Sequence, residues 1–356
     1  MPSVLRSVPL TRVFIAILCA CAALRGQTPP TILANGIVNA GSSNTPTRVA
    51  PGSIVAIYGA NMSSSPHGAG AQAQAFPLPT SLDGAQVLMN GIVAPLYYAD
   101  SGQINAQVPW EVGGASTLSV QVVYRGSRSN IETAALSAIA PGIFVVVHAS
   151  DYSLVTPAKP ATPGEYLIVF CTGLGPVTNS PATGAAASKD TLSTALSTPT
   201  FTFGGVSSTP IFSGLTPGLA GLYQINVQVP GGIAIGSPVP LVLTSVDSSA
   251  ASIRIPTGAT FQLSELFGVA WPDQPIEFRY DGAKPDPATT RMIGPSGAEV
   301  PYQWVSSCSD ATATKGCIAV RSNLPANSSY SWTLQSGVAT ASPVNPVQMN
   351  TVGNNL

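Results

Sequence analysis

Seven residues, QINAQVP at 103–109, return as QINVQVP at 224–230. In the first copy Ile104, Ala106 and Val108 alternate with Gln103, Asn105 and Gln107; in the second Ile225, Val227 and Val229 alternate with Gln224, Asn226 and Gln228. A period of two with one apolar side cannot form the stripe of a helix and predicts a half-buried antiparallel strand. Pro109 and Pro230 end that strand, because proline has no N–H to give to a ladder. The match extends well beyond the motif. PGSIVAIYGANM (51–62) lies opposite PGEYLIVFCTGL (163–174), and residues 82–109 lie opposite 199–230, each with a strand, a two-residue turn (Asn90-Gly91, Gly204-Gly205) and a second strand. Those dipeptides supply the positive φ that tight hairpins require. One module is used twice.

Six or seven strands in roughly 100 residues, with turn signals every 8 to 12, is the pattern of an immunoglobulin-like sandwich. The expected fold class is therefore all-β: two tandem immunoglobulin-like β-sandwiches at 27–140 and 141–256, then a third, smaller or incomplete β-domain at 257–356. Composition agrees. Only 8% of the 356 residues are charged, while Gly (34) and Pro (33) are abundant, which suits short strands and turns rather than long helices. With a net charge of -1 and four Lys there is no basic footprint for nucleic acid and no polybasic membrane patch.

The first 26 residues read as an export signal, with Arg6 and Arg12 ahead of the apolar run VFIAILCACAAL (13–24), a run too short for a membrane span. Cleavage falls before Gln27 or after Ala22. A lipobox-like LCAC (18–21) offers anchoring through Cys21 as the alternative. No later stretch is long and apolar enough for a transmembrane helix, so the mature chain is expected to be secreted, periplasmic or on the cell surface. Cys308 and Cys317, nine residues apart in an exported chain, are expected to form a disulfide, and Cys171 within YLIVFC a buried thiol.

The strings VAPGSIVAIYGANM, LPTSLDGAQVLMNG, GQINAQVP, APGIF, CTGLGPV and GLYQINVQVP together resemble the Solibacter-type C-terminal domain of exported acidobacterial proteins. PGSIVAIYGANM itself resembles the first strand of IPT/TIG immunoglobulin-like domains. The resemblance spans about residues 35–256 and implies the sandwich fold; it implies no enzymatic activity and no catalytic residues. This chain departs from the family's pattern in placing the unit near the N-terminus with a further segment after it. In that segment 265–282, 297–307, 317–325 and 329–337 read as strands, and it holds three of the four Trp. PIEFRYDG and GPSGAEVPYQW resemble the opening β-domain of exported polysaccharide lyases and hydrolases, which makes a non-catalytic front region of a carbohydrate-active enzyme the alternative function.

Catalytic signals are thin. There are two histidines: His67 lies in a Gly/Ala/Gln loop, and His148 is expected to form a solvated linker pair with Asp151. No nucleophile elbow, zinc helix or phosphate loop is present. Asp273, Glu277 and Asp281 read as turn and surface residues, and Asp281, Asp286 and Asp310 lack calcium-loop spacing. No metal and no cofactor are expected. The function expected is a non-enzymatic binding or scaffold module. Tyr97, Tyr98, Trp110 and Tyr223, beside the amide rows, are the candidates for contact with an extracellular glycan or surface protein. The amides themselves read first as structural groups serving neighbouring loops.

Overall fold

A computed structural model describes residues 28–42, 48–157, 159–235, 238–245, 250–280, 282, 284–306 and 316–342. The signal segment, Cys21, Cys308, Asp281 and Asp310 lie outside the described residues. What is described is all-β, with one short 3-10 turn at Trp110–Val112.

The first module comprises β1 (Thr31–Asn39), β2 (Arg48–Val49), β3 (Ile54–Ala60), β4 (Ala71–Gln72), β5 (Ala85–Met89), β6 (Ile92–Val93), β7 (Leu96–Ala99), β8 (Gln103–Gln107), β9 (Thr117–Tyr124), β10 (Ser127–Arg128) and β11 (Glu132–Leu136). One sheet runs β1-β3-β8-β7-β4, and the other β2-β11-β9-β5-β6, with β10 on β9. The second module comprises β12 (Gly142–His148), β13 (Tyr166–Thr172), β14 (Thr200–Phe203), β15 (Val206–Ser208), β16 (Pro210–Leu215), β17 (Tyr223–Gln228), β18 (Val239–Thr244) and β19 (Ala250–Ile255). Its sheets run β12-β13-β17-β16 and β15-β14-β18-β19.

Each strand of the second path has a counterpart in the first, which adds the short strands β2, β4 and β10. In both, the QIN strand (β8, β17) pairs with the strand after the Pro-Gly turn, at Ile57↔Ile104 and Val169↔Ile225. The bulge in the next strand falls at the same place, between Leu96 and Tyr98 and between Pro210 and Phe212. Both hairpin turns hold two successive positive-φ residues, Asn90 (48°) and Gly91 (83°), Gly204 (57°) and Gly205 (89°), the two-residue geometry that matches strand twist. Each module buries its own core: Val55, Ile57, Ile104, Ala106 and Val108 in the first, Leu167, Val169, Ile225, Val227 and Val229 in the second. Cys171 is a buried free thiol, its pKa pushed up by burial.

The third module holds β20 (Ala259–Ser264), β21 (Trp271–Arg279), β22 (Thr290–Ile293), β23 (Glu299–Val300), β24 (Tyr302–Val305), β25 (Cys317–Leu324) and β26 (Ser329–Ser336). Sheets β20-β26-β22-β23 and β21-β25-β24 enclose an aromatic core in which Phe261 stacks on Phe278 at 5.0 Å and Phe278 lies 5.2 Å from Trp332. The module docks on the second through Gly258 N–H to the Ala161 carbonyl (2.8 Å) and Thr257 Oγ1 to the Ala234 carbonyl (2.8 Å), with Ile235 packing on both cores. Cys317 is buried at the start of β25, and its expected partner Cys308 is outside the described residues.

Candidate functional site

The amide rows divide into two roles. The last amide of each row serves its own module's Pro-Gly turn: Gln228 Nε2 donates to the Gly164 carbonyl at 2.7 Å and Gln107 Nε2 to the Gly52 carbonyl at 3.4 Å. The first two bond to each other, Gln103 Nε2 to Asn105 Oδ1 at 2.8 Å and Gln224 Nε2 to Asn226 Oδ1 at 2.9 Å. The first row lies beneath the second module.

That covering is built from specific hydrogen bonds. Gln107 is buried, and its Oε1 accepts from Gly184 N–H at 2.8 Å. Thr172 Oγ1 accepts from Ile54 N–H (2.9 Å) and donates to the Gly221 carbonyl (3.0 Å). Asn39 Nδ2 donates to the Ala140 carbonyl (2.7 Å), Trp110 N–H to Thr183 Oγ1 (3.0 Å), and Tyr97 Oη to the Ala220 carbonyl. Buried polar contacts of this kind are costly to leave unmade, so they fix how the two sandwiches meet.

A cleft of about 380 Å³ opens at the junction, lined by the amide pair Gln103 and Asn105, by Tyr58 and Tyr97 of the first module, and by Phe144 and Leu222 of the second, with Ala40, Ile54 and Ala56 completing it. None of these lining residues is charged. Tyr58 is exposed and stands opposite Gln103 in the strand register. The Asn105 side-chain nitrogen has no protein partner among the described residues, whereas its oxygen is held by Gln103. Burial pushes the Tyr97 hydroxyl up to about 12, against the opposing effect of its bond to Ala220, so it stays protonated as a donor. A second cleft of about 310 Å³ lies on Trp110, Pro51 and Gly113 of the first module and Pro176 of the second.

The four sequence candidates are thus dispersed. Tyr97 lines the amide cleft. Trp110 lines the other, with its ring packed on the second module's core. Tyr98 is half-buried and donates to Asp100 at 2.7 Å while accepting from Gly70 N–H at 3.0 Å, and its hydrogen bond to Asp100 raises its pKa. Tyr223 is no exposed loop residue: it is wholly buried, with its hydroxyl on the Gly175 carbonyl. The parity that sends Ile225 and Val227 inward sends Tyr223 with them. Tyr58, Phe144 and Leu222 were not legible as site residues, since two of them reach the cleft from another module; for Tyr58 the signal was an aromatic on the amide-facing side of its strand.

Each histidine lies against a carboxylate. His148, expected in a solvated pair with Asp151, is instead buried, with Nδ1 2.9 Å from Glu165 and Nε2 3.1 Å from the Lys159 carbonyl. Its position on β12 points it inward, while Asp151 bonds Ser153 and Lys159 outside. His67 Nδ1 lies 3.1 Å from Asp100, which is buried and also accepts from Tyr98 and from the N–H groups of Gly68 (2.7 Å), Gly102 and Gln103 (both 2.6 Å). Burial alone would raise the Asp100 pKa, but the bonds from Tyr98, Gly68, His67 and Gly102 outweigh it and hold the carboxyl well below its usual range. Replacing it, Asp100→Asn, is expected to cost about 1 to 3 kcal/mol at neutral pH through N–H groups left unpaired. A depressed folded pKa contributes fully above the unfolded value of about 3.9 and is lost as pH falls below it, so the gap to wild type narrows in acid. Thermal melts across that range check this; a gap that widens in acid would contradict it.

No family model and no curated protein matches the chain. Among solved structures it is similar to the SGBP-B of a Bacteroides ovatus mixed-linkage glucan utilization locus, solved with a mixed-linkage heptasaccharide (13% identity, 80% of this chain and 70% of that one, TM-score 0.29). It is also similar to the surface glycan-binding protein PbSGBP-B of Prevotella bryantii (10% identity, 90% and 95%, TM-score 0.20). A third is the tandem immunoglobulin pair A164-A165 of titin (11% identity, 64% and 94%, TM-score 0.19). At these scores they establish neither kinship nor a shared function.

Proposed function

We propose that this chain is an exported, non-catalytic β-sandwich protein of the Solibacter-type domain group, and that the junction of its first two modules binds a neutral glycan. One observation carries the reading: the cleft joins an uncommitted amide nitrogen on Asn105 to three aromatic rings, Tyr58, Tyr97 and Phe144, on two modules locked together by buried hydrogen bonds. Sugars present hydroxyl groups to amides and C–H faces to aromatic rings. A lining without charged residues favours a neutral chain over an acidic one, because no cation is there to pair with a carboxylate or sulfate. Ordering the two modules beforehand removes part of the entropic cost of binding.

A glycan array followed by calorimetry on the mature protein tests this. Tyr58→Ala and Asn105→Ala are each expected to weaken binding about tenfold, the scale of one stacked ring or one well-placed hydrogen bond. Tyr98→Ala is expected to leave affinity unchanged, since Tyr98 serves the Asp100 loop. A blank array would leave a spacer role and sink the binding proposal. Polysaccharide cleavage by the purified protein would overturn the non-enzymatic reading.

A further inference from the structure

The loop between β20 and β21 carries the two most exposed large apolar side chains described, Leu266 (81%) and Phe267 (85%), followed by Val269 (48%) and Trp271 (45%). From Leu266 to Pro272 there is no charged side chain, and the one polar side-chain group is the indole N–H of Trp271. Such a tip would ordinarily be driven into a core. Here it is held away from one by Glu265, a buried residue beneath the tip, whose carboxylate accepts from the N–H groups of Phe267 (2.8 Å), Gly268 (3.0 Å) and Asn327 (2.7 Å). Glu265 N–H in turn donates to the Ser328 carbonyl at 2.7 Å. The loop is therefore braced from below with its apolar side chains pointing out.

We infer that this braced loop inserts into the interfacial region of a neutral lipid bilayer. Two features select a bilayer over a folded partner or a sugar. First, backbone N–H groups that enter hydrocarbon must already be satisfied, and those of Phe267 and Gly268 are, by a group of the protein itself. Second, residues 266–270 carry no polar side chain to address sugar hydroxyls, while the residue types, Leu, Phe and Val ahead of Trp, match what is buried at the acyl boundary and what sits at headgroup level. The charges that follow the tip, Asp273 on β21 and Arg321 opposite it on β25, lie 3.6 Å apart, so that cation is already paired rather than set out for anionic headgroups. The lipid it fits is zwitterionic. The loop also lies at the opposite end of β20 from the contact with the second module, about 20 Å away at the usual rise per residue, which leaves it free to meet a surface.

Flotation of the mature protein with phosphatidylcholine vesicles tests the inference. Wild type is expected to float with the vesicles, with little change on adding salt or anionic lipid. The double substitution Leu266→Ser, Phe267→Ser is expected to reduce partitioning at least about tenfold, given the apolar area it withdraws, without moving the thermal transition. Glu265→Gln, which keeps every apolar side chain but removes one acceptor, is expected to reduce it as well. Wild type that stays out of the vesicle fraction, or a double variant that partitions equally, overturns the inference. So does partitioning that requires anionic lipid and vanishes in salt. Self-association in sedimentation velocity that the double substitution abolishes would assign the loop to a second copy of the chain and overturn it too. The glycan cleft lies on other modules, so Tyr58→Ala serves as the variant expected to float unchanged.

Discussion

Trp332→Ala is expected to destabilise the third module by about 3 to 5 kcal/mol, enough to unfold it ahead of the two sandwiches before it. Trp332 is wholly buried on β26, where it pairs with Phe261 in register, lies 5.2 Å from Phe278 across the core and meets Tyr330 edge-on at 6.1 Å. It joins the two sheets of a module whose core is small, so neighbours cannot close over the space that alanine leaves. One term runs the other way. The indole Nε1–H is buried without a partner among the described residues, and removing it relieves an unpaired donor. Trp332→Phe is therefore expected to cost much less than Trp332→Ala. Calorimetry of the Ala variant should show an early transition for the third module that wild type lacks and an unmoved later one for the two sandwiches. An unchanged thermogram would mean that Trp332 does not hold that core together.

Gly52→Ala is expected to cost about 3 kcal/mol or more and to loosen the junction of the first two modules. Gly52 has φ +75°, which L side chains adopt only with strain, and a Cβ there would fall 2.1 to 2.4 Å from three ring atoms of Trp110. The ring cannot swing aside freely, since it packs on the second module's core while its backbone N–H bonds Thr183. Gly91→Ala is the comparator. It has a similar φ of +83° with nothing within 4 Å of the added carbon, and is expected to cost only the strain, about 1 to 2 kcal/mol. Denaturant titration gives both energies, and small-angle scattering should show a larger radius of gyration for Gly52→Ala alone. In the double variant Gly52→Ala, Trp110→Ala the clash is gone, so its cost should fall below the sum of the single costs. Simple additivity would show that the contact carries no strain.

The strand alternation was legible in the sequence wherever the module repeats. Ile104, Ala106 and Val108, like Ile225, Val227 and Val229, are buried as period two requires, and the Asn90-Gly91 and Gly204-Gly205 turns have the positive φ their residues predict. The third segment read less clearly. The strand expected across 265–282 begins only at Trp271, because apolar character marks residues 265–270 as strand-like while only tertiary contacts decide whether an apolar residue finds a core. β20, lying just ahead of it, went uncounted for the same reason: its partner β26 is some seventy residues distant.

Local chemistry, period and turn residues determined that this chain is built from strands, that one module occurs twice, and that its tight turns fall where Gly and Asn stand. Those properties depend on neighbours a few positions away, which a sequence displays directly. Which faces meet was decided only by the tertiary structure. That Tyr58 and Phe144 share a cleft, that His148 is sealed against Glu165, and that Phe267 points to solvent each depend on groups brought together from distant parts of the chain, and on whether their bonding capacity is spent inside the protein.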